Sequence, residues 1–193
     1  MGPPTVREAA VHLFAEQGYN ATTMRDIARR ASLTPGALYH HYQSKEALLR
    51  DIMEQGMANL MRSATAGLAA AGSDPEQRLR ALVRAHVVVH GEHREEAIVA
   101  DTELRALSPE SRDAIQPIRD EYEVLWRQAI EDLSAGQLTL DHSLVRFAII
   151  QMCTGVAHWY RPEGPLSLDK ITDQFGDIAV RMVAPVPGGR NVG

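Results

Sequence analysis

At 193 residues and 45% apolar content, with ordinary glycine and proline, the chain can hold one compact body with its own core plus a small appended one. No apolar run approaches the roughly 18 residues of a membrane span, and the opening MGPPTVRE lacks the basic region and apolar stretch of a signal peptide. A cytoplasmic protein without membrane contact is expected; the single cysteine fits a reducing compartment and forbids an internal disulfide. The net charge of −5 is unevenly spread: residues 1–50 set Arg7, Arg25, Arg29, Arg30, Lys45 and Arg50 against Glu8, Glu16, Asp26 and Glu46, a balance of +2 that leaves −7 for the rest. That asymmetry points the first fifty residues at nucleic acid and the acidic remainder away from it.

After a first helix in AVHLFAEQGYNATT, residues Thr22 to Lys45 carry two short helical patterns joined by a three-residue turn. Thr23 is an N-cap for an apolar stripe of Met24, Ile27, Ala28 and Ala31, and Asp26 completes a capping box. Ser32 and Leu33 interrupt it. Thr34 caps the second helix with Pro35 at its first position, where a missing N–H costs nothing. Leu38 and Tyr42 anchor its inner face, leaving Thr34, Pro35, Ala37, Tyr39, His40 and His41 to point outward. This is the pattern of a helix-turn-helix, whose second helix enters the DNA major groove. Small side chains at Gly36 and Ala37 admit close approach to base edges, and the methyl of Ala37 or Thr34 can meet a thymine methyl. Tyr39 and His40 offer polar groups for phosphates or bases.

Beyond residue 50 the periodicity stays helical, with no sustained strand-type alternation, so the fold class is all-α. One helix is predicted from Ser44 to about Ala70, and Asp74, Pro75 and Gln77 open another that runs to a stop at Gly91. Further helices follow over Glu95 to Leu107, from Ser108 and Pro109 to Gly136, from Asp141 to Tyr160, and from Ser167 to about Val183. The expected organisation is a DNA-binding domain over 1–50, a helical ligand-binding and dimerisation domain over 51–184, and a disordered tail over 185–193. The helix from Asp141 is apolar beyond one inner face, through Ile149, Ile150, Met152, Cys153 and Val156, so part of it should meet another chain.

The first fifty residues resemble the DNA-binding domain of TetR-family transcriptional regulators. The match runs through Ala10, Leu13, Phe14, Gly18, Tyr19, Thr22, Thr23, Ile27, Ala28, Ala31, Leu33, Gly36, Leu38, Tyr39, Tyr42, Lys45, Glu46 and Leu48. By that resemblance Thr23, Thr34, Tyr39, His40 and Lys45 fall where family members touch phosphates or bases, with Arg25, Pro35 and Ala37 completing the candidate surface. Pro35 stands where many relatives carry Lys, which removes a cation and lowers the expected salt dependence. The resemblance also implies a homodimer paired through the last two helices, reading half-sites about 34 Å apart on a double-stranded operator. It implies repression that a small-molecule effector relieves, and no cofactor.

The ending HWYRPEGPLSLDK, with TELRALSPE and RDEY, is similar to TetR-family regulators of fatty-acid and steroid breakdown, many of which answer to acyl-CoA thioesters. Such an effector needs an apolar cavity and a cationic mouth for phosphates. Val83, His86, Val87, Leu104, Tyr122, Trp126, Met152 and Trp159 are candidates for the first, and Arg105, Arg119 and Arg161 for the second. Another hydrophobic ligand remains an alternative. So does a metal, from the spacing of His86, His90 and His93, although Gly91 interrupts the helix and no second cluster completes a site. Cys153 reads as a buried small hydrophobe. A helical enzyme ranks below these readings, because no phosphate loop, metal constellation or nucleophile with a base is present. A helical small-molecule-binding or interaction protein without DNA function is the remaining class.

Overall fold

The computed structural model describes residues 4–138 and 140–184. The tail expected over 185–193 lies outside them. Among the described residues every regular element is helical, as the periodicity predicts. The helices are α1 (Val6–Gln17), α2 (Met24–Arg30), α3 (Pro35–His41), α4 (Lys45–Ala71), α5 (Pro75–Glu92), α6 (Arg94–Thr102), α7 (Pro109–Ser134), α8 (His142–Thr154), α9 (Val156–Trp159) and α10 (Leu168–Val183). None is long and apolar enough to cross a membrane.

The chain divides into two compact units, one over residues 1–59 and 93–120, the other over 60–92 and 121–193. In the first, α1 to α3, the start of α4, α6 and the start of α7 enclose a core of Phe14, Ile27, Leu38, Leu48, Leu49, Ile52, Val99 and Ile115. In the second, α5 packs along α10 and against α8. Its buried residues include Leu79, Leu82, Val83, Val87, Trp126, Ile130, Ile149 and Val183.

The caps read from the sequence are present. The Thr23 hydroxyl accepts from the Asp26 amide at 3.2 Å while the Asp26 carboxylate accepts from the Thr23 amide at 3.1 Å. Thr34 accepts from the Ala37 amide at 3.2 Å, and Ser44, Asp74, Asp141 and Ser167 cap α4, α5, α8 and α10 in the same way. Between α2 and α3, Ser32 takes a left-handed conformation with φ of 58°. Its amide bonds the Arg29 carbonyl and the Leu33 amide bonds the Ala28 carbonyl, the paired closure that ends a helix and turns the chain sharply.

Three boundaries differ from expectation. The helix predicted over Glu95 to Leu107 stops at Thr102, and Leu104–Ala106 forms a 3₁₀ turn, because Glu103 leaves helical geometry at φ −103° and ψ 6°. The helix predicted from Asp141 to Tyr160 is interrupted at Gly155, giving α8 and α9. Gly91 does not stop α5, which runs to Glu92: a Cβ there would lie 2.3 Å from Leu168 Cδ2, so the glycine serves the close crossing of α5 and α10.

Candidate functional site

In the first unit the helix-turn-helix sets α3 on a fully buried Leu38 and leaves Thr34, Pro35, Gly36, Tyr39 and His40 exposed, with Ala37 half-buried. Tyr42 closes the inner face, its hydroxyl donating to Asp51 at 2.9 Å; burial, aided by that carboxylate, raises its pKa to about 12. Arg25 and Arg30 are exposed, whereas Arg29 is held by Asp26 at 2.7 Å. Hydrogen bonds from Thr23 hold the Asp26 carboxyl below its ordinary range, which keeps the capping box charged. Thr23 is exposed but already spends its hydroxyl on Asp26, at 2.6 Å.

Lys45 is not an open cation. Its ammonium donates to the Tyr19 carbonyl at 2.6 Å and the Thr22 carbonyl at 2.7 Å, and sits 4.1 Å from the centre of the Tyr19 ring. The Tyr19 amide donates in turn to Glu103 at 3.2 Å. Burial lowers the Lys45 pKa, with Glu103 opposing it.

Three carboxylates besides Glu103 tie the later helices of this unit to the earlier ones, and sequence reasoning missed them all. Glu46, on α4, accepts from the Ser108 amide at 2.9 Å and the Ser111 hydroxyl at 2.8 Å, capping α7; these bonds hold its pKa at about 2. Glu96 pairs with Arg7, and Glu95 lies 3.0 Å from His12. A sequence alone offers no periodic signal for such long-range partners.

The second unit holds a buried polar cluster. His86 Nδ1 lies 3.0 Å from the Tyr122 hydroxyl and Nε2 lies 3.0 Å from Thr154 Oγ1. His90 stacks on His86 with ring centroids 4.1 Å apart and donates from Nδ1 to the His86 carbonyl at 2.9 Å. Trp126, fully buried, meets the His86 ring edge-on at 5.9 Å and the Tyr122 ring at 6.3 Å. Burial, reinforced by His90, depresses the His86 pKa well below 6.5, so the imidazole is neutral; burial raises those of Tyr122 and Cys153, the latter to about 12. His93 has left the α5 helix, at φ −112° and ψ 48°, so the three histidines do not share one face. Among the described residues no group of three or more His, Cys, Asp or Glu could hold a metal.

The expected effector residues are divided between the units. Val83, His86, Val87, Tyr122 and Trp126 are buried in the second, with Met152 half-buried and Trp159 and Arg161 exposed there. Leu104 packs against the core of the first unit, which also carries Arg105 and Arg119. None of the eleven lines the groove of about 580 Å³ between α4, α5 and α10, whose wall includes Ser63, Gly67, Arg80, Arg84, Thr172 and Asp173. There Arg80 pairs with Asp177 and Arg84 with Asp169, at 2.8 and 2.7 Å. On α8, Leu144 and Phe147 are exposed despite their size, as is Ile178 on α10.

Comparison with known proteins adds to this geometry. The family described as "Bacterial regulatory proteins, tetR family" matches residues 6–52, and "Tetracyclin repressor-like, C-terminal domain" matches 72–183. The HTH-type transcriptional repressor KstR2 of Rhodococcus jostii (strain RHA1) is 30% identical over 177 residues, covering 90% of this chain and 86% of its own. The ketosteroid transcriptional regulator KstR2 of Mycobacterium tuberculosis superposes with a TM-score of 0.84 at 26% identity, over 94% of each chain. AibR, solved in complex with isovaleryl coenzyme A and operator DNA, superposes with a TM-score of 0.80 at 27% identity, over 94% of this chain and 97% of that one.

Proposed function

Because this chain belongs to the TetR family of bacterial regulatory proteins, whose members are transcriptional regulators rather than enzymes, we propose that it is a dimeric repressor released from a palindromic operator by an acyl-CoA thioester. The observation that carries the effector is the near full-length likeness to a regulator solved with both an acyl-CoA and operator DNA. The likeness to ketosteroid repressors over most of the chain supports an effector from lipid or steroid breakdown.

In this reading residues 1–50 read DNA. Thr34, Pro35, Ala37, Tyr39 and His40 face the major groove, and Thr23 and Arg25 meet the flanking phosphates. Residues 51–184 bind the effector and the partner chain. The exposed Leu144, Phe147 and Ile178 supply the apolar face that a second copy would cover. Effector binding acts on DNA affinity through differential contacts in two states of the dimer. The carboxylate ties of Glu46, Glu96 and Glu103 keep α6 and the start of α7 moving with the reading head.

The test is binding of the purified protein to fragments of its own upstream region. A protected palindrome occupied by two chains is expected. Uniform, sequence-independent binding would reject the operator-reading function.

A further inference from the structure

In the first unit one short stretch of main chain is gripped by two charged side chains from later in the sequence. The Tyr19 amide donates to the Glu103 carboxylate at 3.2 Å, and the Tyr19 carbonyl accepts from the Lys45 ammonium at 2.6 Å. Both bonds are charge-assisted and therefore of the stronger kind. Lys45 also bonds the Thr22 carbonyl at 2.7 Å, and the buried Thr22 hydroxyl donates to the Gly18 carbonyl at 2.9 Å. Gly18 ends α1 at a φ of 83°, and a Cβ there would lie 3.6 Å from the same Glu103 oxygen. The segment so held leads directly into Thr23, the N-cap of α2.

We propose that Glu103 is a positioning residue for operator reading: from the end of α6 it fixes the turn of residues 18–22 and, through that turn, the entry of α2 against which the recognition helix is set. The inference rests on the DNA-reading assignment of residues 1–50 and adds to it a residue outside them that acts through the Tyr19 main chain. The link is short. Only the four residues Tyr19 to Thr22 separate the Glu103 bond from the Thr23 cap, and Lys45 holds both ends of that stretch, so little slack absorbs a shift of the carboxylate. From α2 the position passes to α3, because the Leu33 amide bonds the Ala28 carbonyl at 2.8 Å and Ile27 and Leu38 share one core. Glu103 is itself held where α6 gives way to the 3₁₀ turn, its amide bonded to the Val99 carbonyl at 3.0 Å and its carbonyl to the Ala106 amide at 2.9 Å. Removing the carboxylate deprives the Tyr19 amide of its acceptor and loosens the turn, while Phe14, Ile27 and Leu38 keep their packing. A head with a loosened entry loses the register that base readout needs. Its phosphate contacts depend on charge more than on register, so they persist.

The experiment compares full-length Glu103→Ala, which removes the acceptor, with Glu103→Gln, whose amide oxygen keeps it. Fluorescence anisotropy measures affinity for the protected upstream fragment and for a scrambled duplex of the same length. In Glu103→Ala the operator affinity is expected to fall about tenfold with the scrambled duplex bound as before, and Glu103→Gln is expected to recover most of the loss. Operator affinity unchanged in Glu103→Ala overturns the inference, as does an equal fall on both duplexes. Hydrogen exchange on the free proteins judges it without DNA. The amides of Asp26 and Ile27 bond Thr23 and not Glu103; they are expected to exchange faster in Glu103→Ala and at the unaltered rate in Glu103→Gln. Unchanged exchange at Asp26 and Ile27 overturns the positioning role alone, whereas failure of the unaltered protein to prefer any operator over the scrambled duplex overturns the DNA-reading assignment and the role built on it.

Discussion

The Lys45 ammonium bonds the Tyr19 carbonyl at 2.6 Å and caps the Tyr19 ring at 4.1 Å, so the residue that opens α4 is spent inside the head. A lysine that spends two of its three N–H donors on carbonyls inside the head is poorly placed to meet a phosphate. Lys45→Met is expected to lower the stability of the protein by about 1–2 kcal/mol and to weaken operator binding. The slope of log K against log salt should stay unchanged. Lys45→Arg, which can still donate to both carbonyls, should restore binding. A slope reduced by about one unit in Lys45→Met would instead make Lys45 a direct phosphate contact.

Arg25 and Tyr39 make the complementary case, since both are exposed, at the start of α2 and on α3. Arg25→Ala is expected to lower the salt slope by about one, and Tyr39→Ala to cost about 1–3 kcal/mol of operator affinity. Neither should move the melting temperature by more than a degree or two, because neither residue is buried. Fluorescence anisotropy across a salt series, with thermal melts alongside, checks both.

The buried histidine gives the protein a pH response. Since the folded pKa of His86 is depressed, the unfolded chain takes up the proton first as pH falls. Stability should therefore decline below about pH 6.5, at up to about 1.4 kcal/mol per pH unit, until folded His86 protonates. The Glu46 carboxyl acts lower: its contribution is intact above 4.5 and is lost on descending towards its folded value of about 2. Urea unfolding between pH 5 and 7 should show a flatter profile in His86→Gln. An unchanged slope there would move the response to another group.

Gly91 is read from the sequence as a stop and proves to be a contact. Leu168, the first residue of α10, fills the space a side chain would need. Gly91→Ala is expected to destabilise the protein by about 1–3 kcal/mol in urea. Shortening Leu168 to Ala in the same chain should make the added methyl nearly harmless.

A charge on the outer face of α8 tests the dimer. Phe147→Glu replaces an exposed phenyl ring, 61% accessible in the single chain, and should leave folding intact. Sedimentation is expected to show a monomer, and operator affinity should fall by at least tenfold because each half-site is then bound alone. A dimer that survives the substitution would place the interface elsewhere.

What was legible in the sequence was local. Thr23 with Asp26, Thr34 with Pro35, and Asp141 announce their helices because a cap is satisfied within three residues. Glu103 and Gly155 end or interrupt helices, and Gly91 lies within one, for reasons involving distant partners or backbone freedom, and periodicity carries no trace of Tyr19 or Leu168. The candidate site divides likewise. The outward face of α3 follows from Leu38 and Tyr42 facing in, whereas the commitment of Lys45 to Tyr19 and Thr22 needed coordinates. Apolar residues at helical spacing do not say which unit they serve, so the sequence groups Leu104 with Val83 although it packs against the core of the first unit.

The decisive measurement is titration of isovaleryl-CoA and a panel of longer and cyclic acyl-CoA thioesters into the preformed complex of protein and operator, with free CoA as the control. Release of the DNA by at least one thioester, and not by CoA, is the predicted result. An operator complex that every thioester leaves intact would contradict acyl-CoA gating while keeping the DNA-reading head.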